Sequence, residues 1–169
     1  MHTFQPLDYE MLEGGPLKFD DNSWMLITAA DGDKANAMTA SWGGVGRIWD
    51  KLCVFIFVRE SRYTKELLDA SDEFSINFMD DKKHHGLKNY MGKVSGRNED
   101  KIAGARLNVG YDQGIPYLDE AMTVILARVA FKQPFEEQSF ISQEIIDKYY
   151  SNGDYHTIYI AEIEKIMAR

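Results

Sequence analysis

The chain has 169 residues, 44% of them hydrophobic and 27% charged, which is enough for one domain with a buried core. A formal net charge of −8 leaves no basic stripe to neutralise a run of phosphates and so argues against a nucleic-acid partner. The longest apolar run, Leu52 to Val58, is too short to cross a bilayer, and the acidic N-terminal segment lacks the apolar centre of a signal peptide. We therefore expect a single domain over residues 1–169, in a cytoplasmic protein with no membrane partner.

The first elements in the chain are an irregular segment and a hairpin. Met1 to Asn22 has no clean hydrophobic period, and we expect an arm or loop lying over the rest of the domain. Trp24 to Ala30 is typical of a strand, and the turn Asp31-Gly32-Asp33 predicts that it pairs with a second strand over Asn36 to Gly43. In that second strand apolar and polar residues alternate, as on a half-buried sheet.

The next stretch predicts a connection followed by a buried strand. Gly43, Gly44 and Gly46 do not have the spacing of a dinucleotide fingerprint, and they suit a corner or the close passage of backbone by a flat ligand. Leu52 to Val58 is apolar throughout, which predicts a strand buried on both faces. Cys53 lies inside that strand. As the single cysteine it excludes an intrachain disulfide and is expected to be an inert, buried thiol.

A donor-rich turn follows at Arg59 to Thr64. Ser61 is a good N-cap for a helix that should end near Ser71, and a helix start with unpaired N–H groups favours an anion. Two guanidinium groups, Arg59 and Arg62, and the hydroxyls of Ser61 and Thr64 are what a phosphate monoester needs. The spacing is equally compatible with an ordinary cap and solvated surface arginines.

The central part of the chain predicts a short strand and two short helices. Phe74 to Met79 alternates as a strand, and Asp80 or Asp81 can cap a helix through Leu87 to Tyr90 that stops at Gly92. Adjacent helical side chains cannot chelate one ion, so His84 and His85 are expected at the surface and no metal site is predicted. Asn98 would cap a second helix, in whose first turn Lys101 opposes the helix dipole. Such a lysine is ordinarily solvated.

The C-terminal part predicts two strands around one helix. Glu120 to Phe131 is β-rich and ends by Pro134, Ser142 to Tyr150 is helical, and Thr157 to Ile163 is the last strand. No βαβ rhythm is present. The fold class predicted is therefore mainly β, a closed or partly closed antiparallel barrel with a few short helices.

Five segments in this order resemble the flavin reductase-like family, and most closely its flavoredoxin-like branch. The segments are Asn36 to Trp42, Ser61 to Thr64, Phe74 to Phe78, Ser95 to Lys101 and His156 to Ile163. The resemblance implies a split β-barrel with Greek-key-like connections that binds FMN. Redox chemistry would then belong to the cofactor, since no catalytic triad, paired-carboxylate motif or Walker loop is visible.

The resemblance also assigns residues to the flavin. Ala40, Ser41 and Trp42 match positions that touch the isoalloxazine, and Ser61, Arg62, Tyr63 and Thr64 match the phosphate-binding turn. The family's loop over the flavin would bring Ser95 and Lys101 to the phosphate or ribityl side. From the residues themselves, the strand at Thr39 to Trp42 can offer backbone groups to the ring edge, Asn77 can reach the pyrimidine or ribityl side, and Arg59 can share the phosphate. Trp42 is equally suited to a half-buried core position.

His156 matches a histidine at the flavin face where a nicotinamide would dock, and it is the candidate catalytic residue. The family usually has Gly-Asp-His, whereas here Tyr155 separates Gly153-Asp154 from His156, and a lone histidine at a strand start is often structural. Two main functions stay open, beside the weaker alternative of a split barrel that binds no flavin. One is an FMN-dependent oxidoreductase that takes hydride transiently from NAD(P)H and reduces a flavin or another small molecule. The other is an FMN-holding electron carrier reduced by a protein partner. The family and the abundance of aromatic residues imply a homodimer.

Overall fold

The computed structural model describes residues 5–6, 24–80 and 82–169. Its strands are β1 (Gln5–Pro6), β2 (Met25–Asp31), β3 (Lys34–Ala40), β4 (Gly43–Ile48), β5 (Lys51–Arg59), β6 (Glu73–Phe78), β7 (Val109–Asp112), β8 (Ile115–Leu118), β9 (Thr123–Pro134) and β10 (His156–Ala168). Its helices are α1 (Tyr63–Ser71), α2 (Leu87–Lys93), α3 (Lys101–Gly104) and α4 (Gln143–Tyr149), with a 3₁₀ turn at Glu137–Ser139. The predicted arm over Met1 to Asn22 lies outside the described residues, except for β1, which pairs with the end of β10. Asp81 lies outside them as well.

The main sheet is antiparallel and is rolled up by its own connectivity. Its strand order is β3-β2-β6-β9-β10-β5-β4, so β3 and β4 are its two ends. On a flat sheet six strand spacings would separate them by about 29 Å. Only Ser41 and Trp42 join them, and so short a link spans at most about 11 Å. The sheet must therefore curl until its ends approach each other, which gives the predicted split barrel with its opening at Ser41 and Trp42.

The core fills the barrel and a second layer outside it. Alternate residues of β2 face opposite ways: Met25 and Ile27 join the cluster inside the barrel, whereas Leu26 joins a cluster with α2 and α3. Helix α1 contributes Leu67 and Leu68 to the inner cluster. Both faces of β2 are therefore covered. Among the described residues no helix is both long and apolar enough to cross a membrane.

Most predicted elements are confirmed, but β4 and β5 differ from expectation. The glycine segment is itself a strand, with Gly44 and Gly46 opposite Phe55 and Cys53. Phe55 and Phe57, which share one face of β5, are half-buried. The prediction that β5 is buried on both faces is wrong for this face. Cys53 is buried, as predicted.

Three helix starts lie later in the chain than predicted. Helix α1 has Arg62, not Ser61, at its N-cap, without a side-chain cap hydrogen bond. Helix α2 starts after Gly86 and continues through the predicted stop at Gly92. Helix α3 is capped by Asp100, whose carboxylate accepts from the Ala103 N–H at 3.0 Å, rather than by Asn98.

Candidate functional site

Two cavities flank the turn between β5 and α1. The larger, about 480 Å³, lies at the opening of the barrel, and the smaller, about 120 Å³, lies against α2 and α3. Met38, Ser61 and Arg62 line both. The larger cavity is otherwise lined by Thr39, Ala40, Ser41, Trp42, Phe57, Arg59, Asp154 and His156. The smaller is otherwise lined by Asn36, Tyr63, Thr64, Lys93, Val94, Ser95, Gly96 and Lys101.

Arg62 is fixed between the two cavities by backbone carbonyls. One guanidinium nitrogen donates to the Gly92 oxygen at 2.8 Å and the other to the Thr39 oxygen at 3.3 Å. These bonds tie the start of α1 to α2 and to β3. Burial lowers the pKa of Arg62, and its arginine neighbour Arg59 adds to this while Asp154 opposes it. Arg62 is thus a partly buried cation held at a helix start, not the solvated arginine of the alternative interpretation.

Lys101 is a second buried cation in the smaller cavity. Its side chain is 3% exposed, and Nζ donates to the carbonyl oxygens of Met91 at 2.9 Å and Val94 at 3.0 Å. Burial, and then the charge of Arg62, lower the pKa of Lys101 to about 8. No carboxylate in the described part of the chain counters this shift. The expectation of a solvated lysine is wrong, because α3 packs against α2 and encloses the side chain.

The rest of the smaller cavity is small and polar. The hydroxyl of Thr64, buried in the first turn of α1, accepts from the Asn36 amide at 2.8 Å. A Cβ on Gly96 would lie 2.2 Å from Asn36 Oδ1, so only glycine fits there. The first N–H groups of α1 have no partner within the helix. Arg62 and Lys101, which donate only to carbonyl oxygens, lie beside this helix start, an arrangement that suits a compact anion.

In the larger cavity Asp154 neutralises the neighbouring donors. Its carboxylate accepts from the Ser61 N–H at 3.1 Å and from the Ser61 hydroxyl at 2.7 Å. Arg59 lies 4.0 Å from the same carboxylate and donates to the Asp154 carbonyl at 2.6 Å. Another nitrogen of Arg59 donates to the Tyr149 carbonyl at 3.0 Å. Arg59 and Ser61 therefore lie beside a carboxylate of the same chain. Arg62 and Lys101, in contrast, donate only to backbone carbonyl oxygens.

The walls of the larger cavity are strand backbone on one side and rings on the other. Thr39 to Trp42 run along it, and the Thr39 hydroxyl is turned to the Lys88 carbonyl at 2.7 Å. Trp42 is 43% exposed, which excludes the core position considered for it. Its ring lies 5.1 Å from that of His156 and 5.4 Å from that of Tyr149. The cavity can accept a flat ring.

His156 is buried at the start of β10, on the wall of the larger cavity. Its Nδ1 lies 2.8 Å from the Tyr150 hydroxyl. Burial, followed by the charge of Arg59, lowers the pKa of His156 to about 4. The imidazole is therefore neutral near pH 7 and can donate or accept a hydrogen bond, but it does not carry a charge.

Asn77 is the predicted site residue that the structure does not bring to either cavity. It is buried in β6, where its amide nitrogen donates to Leu26 O, Thr28 Oγ1 and Ser75 Oγ and its oxygen accepts from Leu118 N. These contacts use its hydrogen-bonding groups inside the sheet. The alternating pattern of this short strand allowed the Asn77 side chain to lie on either face of the sheet. The sequence therefore could not decide whether Asn77 reaches a cavity.

Several lining residues were missed. Asn36 and Met38 alternate with Ala37 on β3 and therefore share one face of the strand. Because the predicted site begins on the same strand, this periodicity could have indicated them as lining residues. Asp154 had no local signal, because its partners Arg59 and Ser61 are distant in sequence. Among the described residues there is no cluster of potential metal ligands. His84 and His85 lie in the turn before α2, outside the helix predicted to hold them.

Comparison with known proteins places the chain among flavin-binding folds. A family model described as flavin reductase like domain matches residues 22–169. No curated protein matches the chain. A flavoredoxin from Methanosarcina acetivorans superposes with a TM-score of 0.64 at 22% identity, over 90% of this chain and 75% of that one.

Two further solved structures show the same fold. An FMN-binding domain of a flavin reductases-like enzyme from Shewanella baltica has a TM-score of 0.68 at 15% identity, covering 99% of this chain and 78% of that one. An FMN-binding protein from Thermus thermophilus, with bound p-hydroxybenzaldehyde, has a TM-score of 0.67 at 19% identity, covering 100% and 82%. At these identities the likeness establishes the architecture, which agrees with the rolled sheet described above.

Proposed function

The chain belongs to the flavin reductase-like domain family, and from that premise we propose that it is an FMN-dependent oxidoreductase. It would take hydride from NAD(P)H and pass electrons to a flavin or another small-molecule acceptor. The single observation that carries the proposal is the pairing of the buried Lys101 with the partly buried Arg62 in the smaller cavity.

The smaller cavity fits the phosphate of FMN. Arg62 and Lys101 share one polar cavity at a helix start, and the pKa of each is lowered by burial and by a neighbouring cation. A bound phosphate would relieve both effects, because its charge offsets the desolvation of the cations. Gly96 lies against Asn36 and Tyr63 too closely for a side chain, so its backbone forms part of the cavity wall. Ser95, Tyr63 and Thr64 complete the polar lining.

The larger cavity fits the isoalloxazine ring. It adjoins the smaller one through Met38, Ser61 and Arg62, as a ring joined to a phosphate by a ribityl chain requires. Ala40, Ser41 and Trp42 would face the ring from the barrel opening, with Phe57 and His156 on the same cavity wall. FMN, when bound, supplies hydride and single-electron transfer. The chain would hold the phosphate, orient the ring and present a neutral His156 to the incoming donor.

The alternative function is an FMN-holding electron carrier reduced by a protein partner. The observation that favours it is the exposed apolar surface beside the larger cavity, which consists of Trp42, Ile145 and Tyr149. Exposed apolar groups next to a redox site suit the docking of another protein. The same surface supports a homodimer, because α4 buries none of its residues against its own chain.

Identification of the bound flavin tests the binding proposal. The purified protein, or protein reconstituted with excess FMN, is denatured and the released chromophore is identified. FMN is expected. FAD alone, or no flavin after reconstitution, would contradict it.

Anaerobic mixing with a nicotinamide donor separates the two functions. NADH or NADPH should bleach the flavin absorption of the oxidoreductase within about seconds. If dithionite bleaches it but neither nucleotide does so over minutes, the electron-carrier function replaces the oxidoreductase. For the dimer, sedimentation equilibrium should give twice the 19.4 kDa of one chain, and 19.4 kDa itself would refute the dimer.

A further inference from the structure

Tyr150 is held rigidly beside His156. It follows α4, and its backbone N–H donates to the Ile146 carbonyl at 2.8 Å. Its ring stacks on Tyr155 with centroids 5.0 Å apart and lies 5.4 Å from the Phe140 ring. The Arg59 guanidinium carbon lies 5.4 Å from its centroid. With the ring packed on these sides, the hydroxyl has one position, 2.8 Å from His156 Nδ1.

The direction of the hydrogen bond between the Tyr150 hydroxyl and His156 Nδ1 follows from the number of protons that the two groups carry. If His156 donated from Nδ1, the Tyr150 hydrogen would need another acceptor, and the part of the chain that the structure describes provides none for this buried hydroxyl. An unpaired buried hydroxyl is costly. If Tyr150 donates instead, both groups are satisfied, and the imidazole proton is on Nε2.

The charged groups around His156 oppose a charged imidazole. Arg59 from β5 and Arg62 at the start of α1 are both cations, and only Asp154, two residues before β10, favours protonation. An imidazolium would also leave the Tyr150 hydroxyl without its acceptor. The neutral form is therefore the one that fits the packing as well as the charges.

We propose that Tyr150 is a positioning residue that holds His156 as the neutral tautomer with its proton on Nε2. His156 then presents a hydrogen-bond donor to the larger cavity and does not act as a base there. A donor of this kind recognises an oxygen acceptor, so the ligand class is a planar compound with a carbonyl oxygen. This use of the donor rests on the proposed function, whereas the tautomer itself does not.

The tautomer is measured on the flavin-free protein. The chain has four histidines, and the His156 signals in protein labelled with ¹⁵N-histidine are assigned by their loss in His156→Gln. Long-range proton–nitrogen spectra should show Nε2 protonated and Nδ1 bare, with the imidazole titrating only below about pH 5, since its pKa is lowered to about 4. Tyr150→Phe keeps the ring and removes the donor. The pKa of His156 should then rise by about half a unit to one unit, and Nδ1-protonated imidazole should become populated.

A matched control is Tyr155→Phe, because Tyr155 stacks on Tyr150 but makes no hydrogen bond to His156. It should leave both the tautomer and the titration of His156 unchanged. Protonated Nδ1 in the wild type, or an identical His156 titration in Tyr150→Phe, would overturn the proposal. Neither measurement uses FMN. A failure to bind FMN would therefore overturn the proposed function and leave the tautomer assignment standing.

Discussion

The two cavities share Arg62 but treat positive charge in opposite ways. In the larger one Asp154 occupies the Ser61 donors and lies beside Arg59, so the donors there are already matched within the chain. In the smaller one Lys101 and Arg62 bond only to carbonyl oxygens. A buried cation without an anion is costly to the folded protein. The density of donors in the turn therefore does not by itself indicate an anion site, whereas cations that have only carbonyl partners do.

Removing the cation that both cavities share should have the largest effect on flavin binding. Arg62→Ala should weaken FMN by about a hundredfold, because a charge-assisted contact to phosphate is worth roughly 1.5–3 kcal/mol and the Thr39 and Gly92 tethers are lost as well. Riboflavin, which has no phosphate, should be weakened less. Flavin fluorescence titrations with both ligands measure this. Equal weakening would mean that Arg62 acts through folding or the ring.

Lys101→Met should affect the smaller cavity alone. FMN should bind about tenfold to a hundredfold more weakly while riboflavin is unchanged within about twofold. Because the substitution removes a buried cation but also its hydrogen bonds to the Met91 and Val94 carbonyls, urea unfolding of the flavin-free protein should show a stability within about 1 kcal/mol of the wild type. Lys88→Met, on the exposed side of α2, is the control and should change neither quantity. Loss of riboflavin binding in Lys101→Met would assign Lys101 to the ring instead.

Raising the pH should weaken FMN through Lys101. The pKa of Lys101 is lowered to about 8 in the free protein, so below that pH the ammonium is already present. Above it, FMN must bind together with a proton, and the dissociation constant should rise by up to about tenfold per pH unit. Fluorescence titrations at pH 7, 8 and 9 measure the slope. The slope should vanish in Lys101→Met, and a slope that persists there would have another origin.

Asp154→Asn should affect stability more than FMN binding. Losing the carboxylate removes charge-assisted bonds to Ser61, and the free energy of unfolding should fall by about 1 kcal/mol. FMN affinity should stay within about threefold, because Asp154 lines the larger cavity and the phosphate would lie in the smaller one. An FMN loss as large as that of Lys101→Met would place the phosphate in the larger cavity.

Arg97→Ala should have the smallest effect. Arg97 lies over the Tyr63 ring, but it is exposed and paired with Glu66. Exposed ion pairs contribute little, so FMN affinity should change by less than about threefold. A loss comparable to that of Arg62→Ala, in the same titration, would show that exposure does not separate the cations that bind from those that do not.

The sequence predicted the parts of the structure that depend on local pattern. The hairpin at Asp31 to Lys34 and the strand β5 follow from turn chemistry and apolar periodicity, and the family order of motifs gave the split barrel. The start of α1 was misplaced because Ser61 is a good cap in isolation, yet its hydroxyl finds a better acceptor in Asp154, 93 positions away.

The site was predictable only where a motif carried it. The turn at Ser61 to Thr64 and the segment Thr39 to Trp42 do line the cavities, although their binding roles stay predictions. The burial of Lys101 depends on how α3 packs against α2, and the sheet placement of Asn77 depends on its register with β2 and β8. Neither is encoded within a short window, because both follow from contacts between distant segments.

The buried thiol of Cys53 makes the barrel opening measurable by chemical labelling. Cys53 is the single cysteine, is fully buried, and pairs with Gly46 on the end strand β4. A thiol reagent can reach it only when β4 separates from β5 or the protein unfolds. Since β4 begins at the two-residue link that lines the larger cavity, the rate of alkylation reports how often this edge opens. Slower alkylation with flavin present would therefore mean that a ligand in the cavity holds the end of the sheet in place.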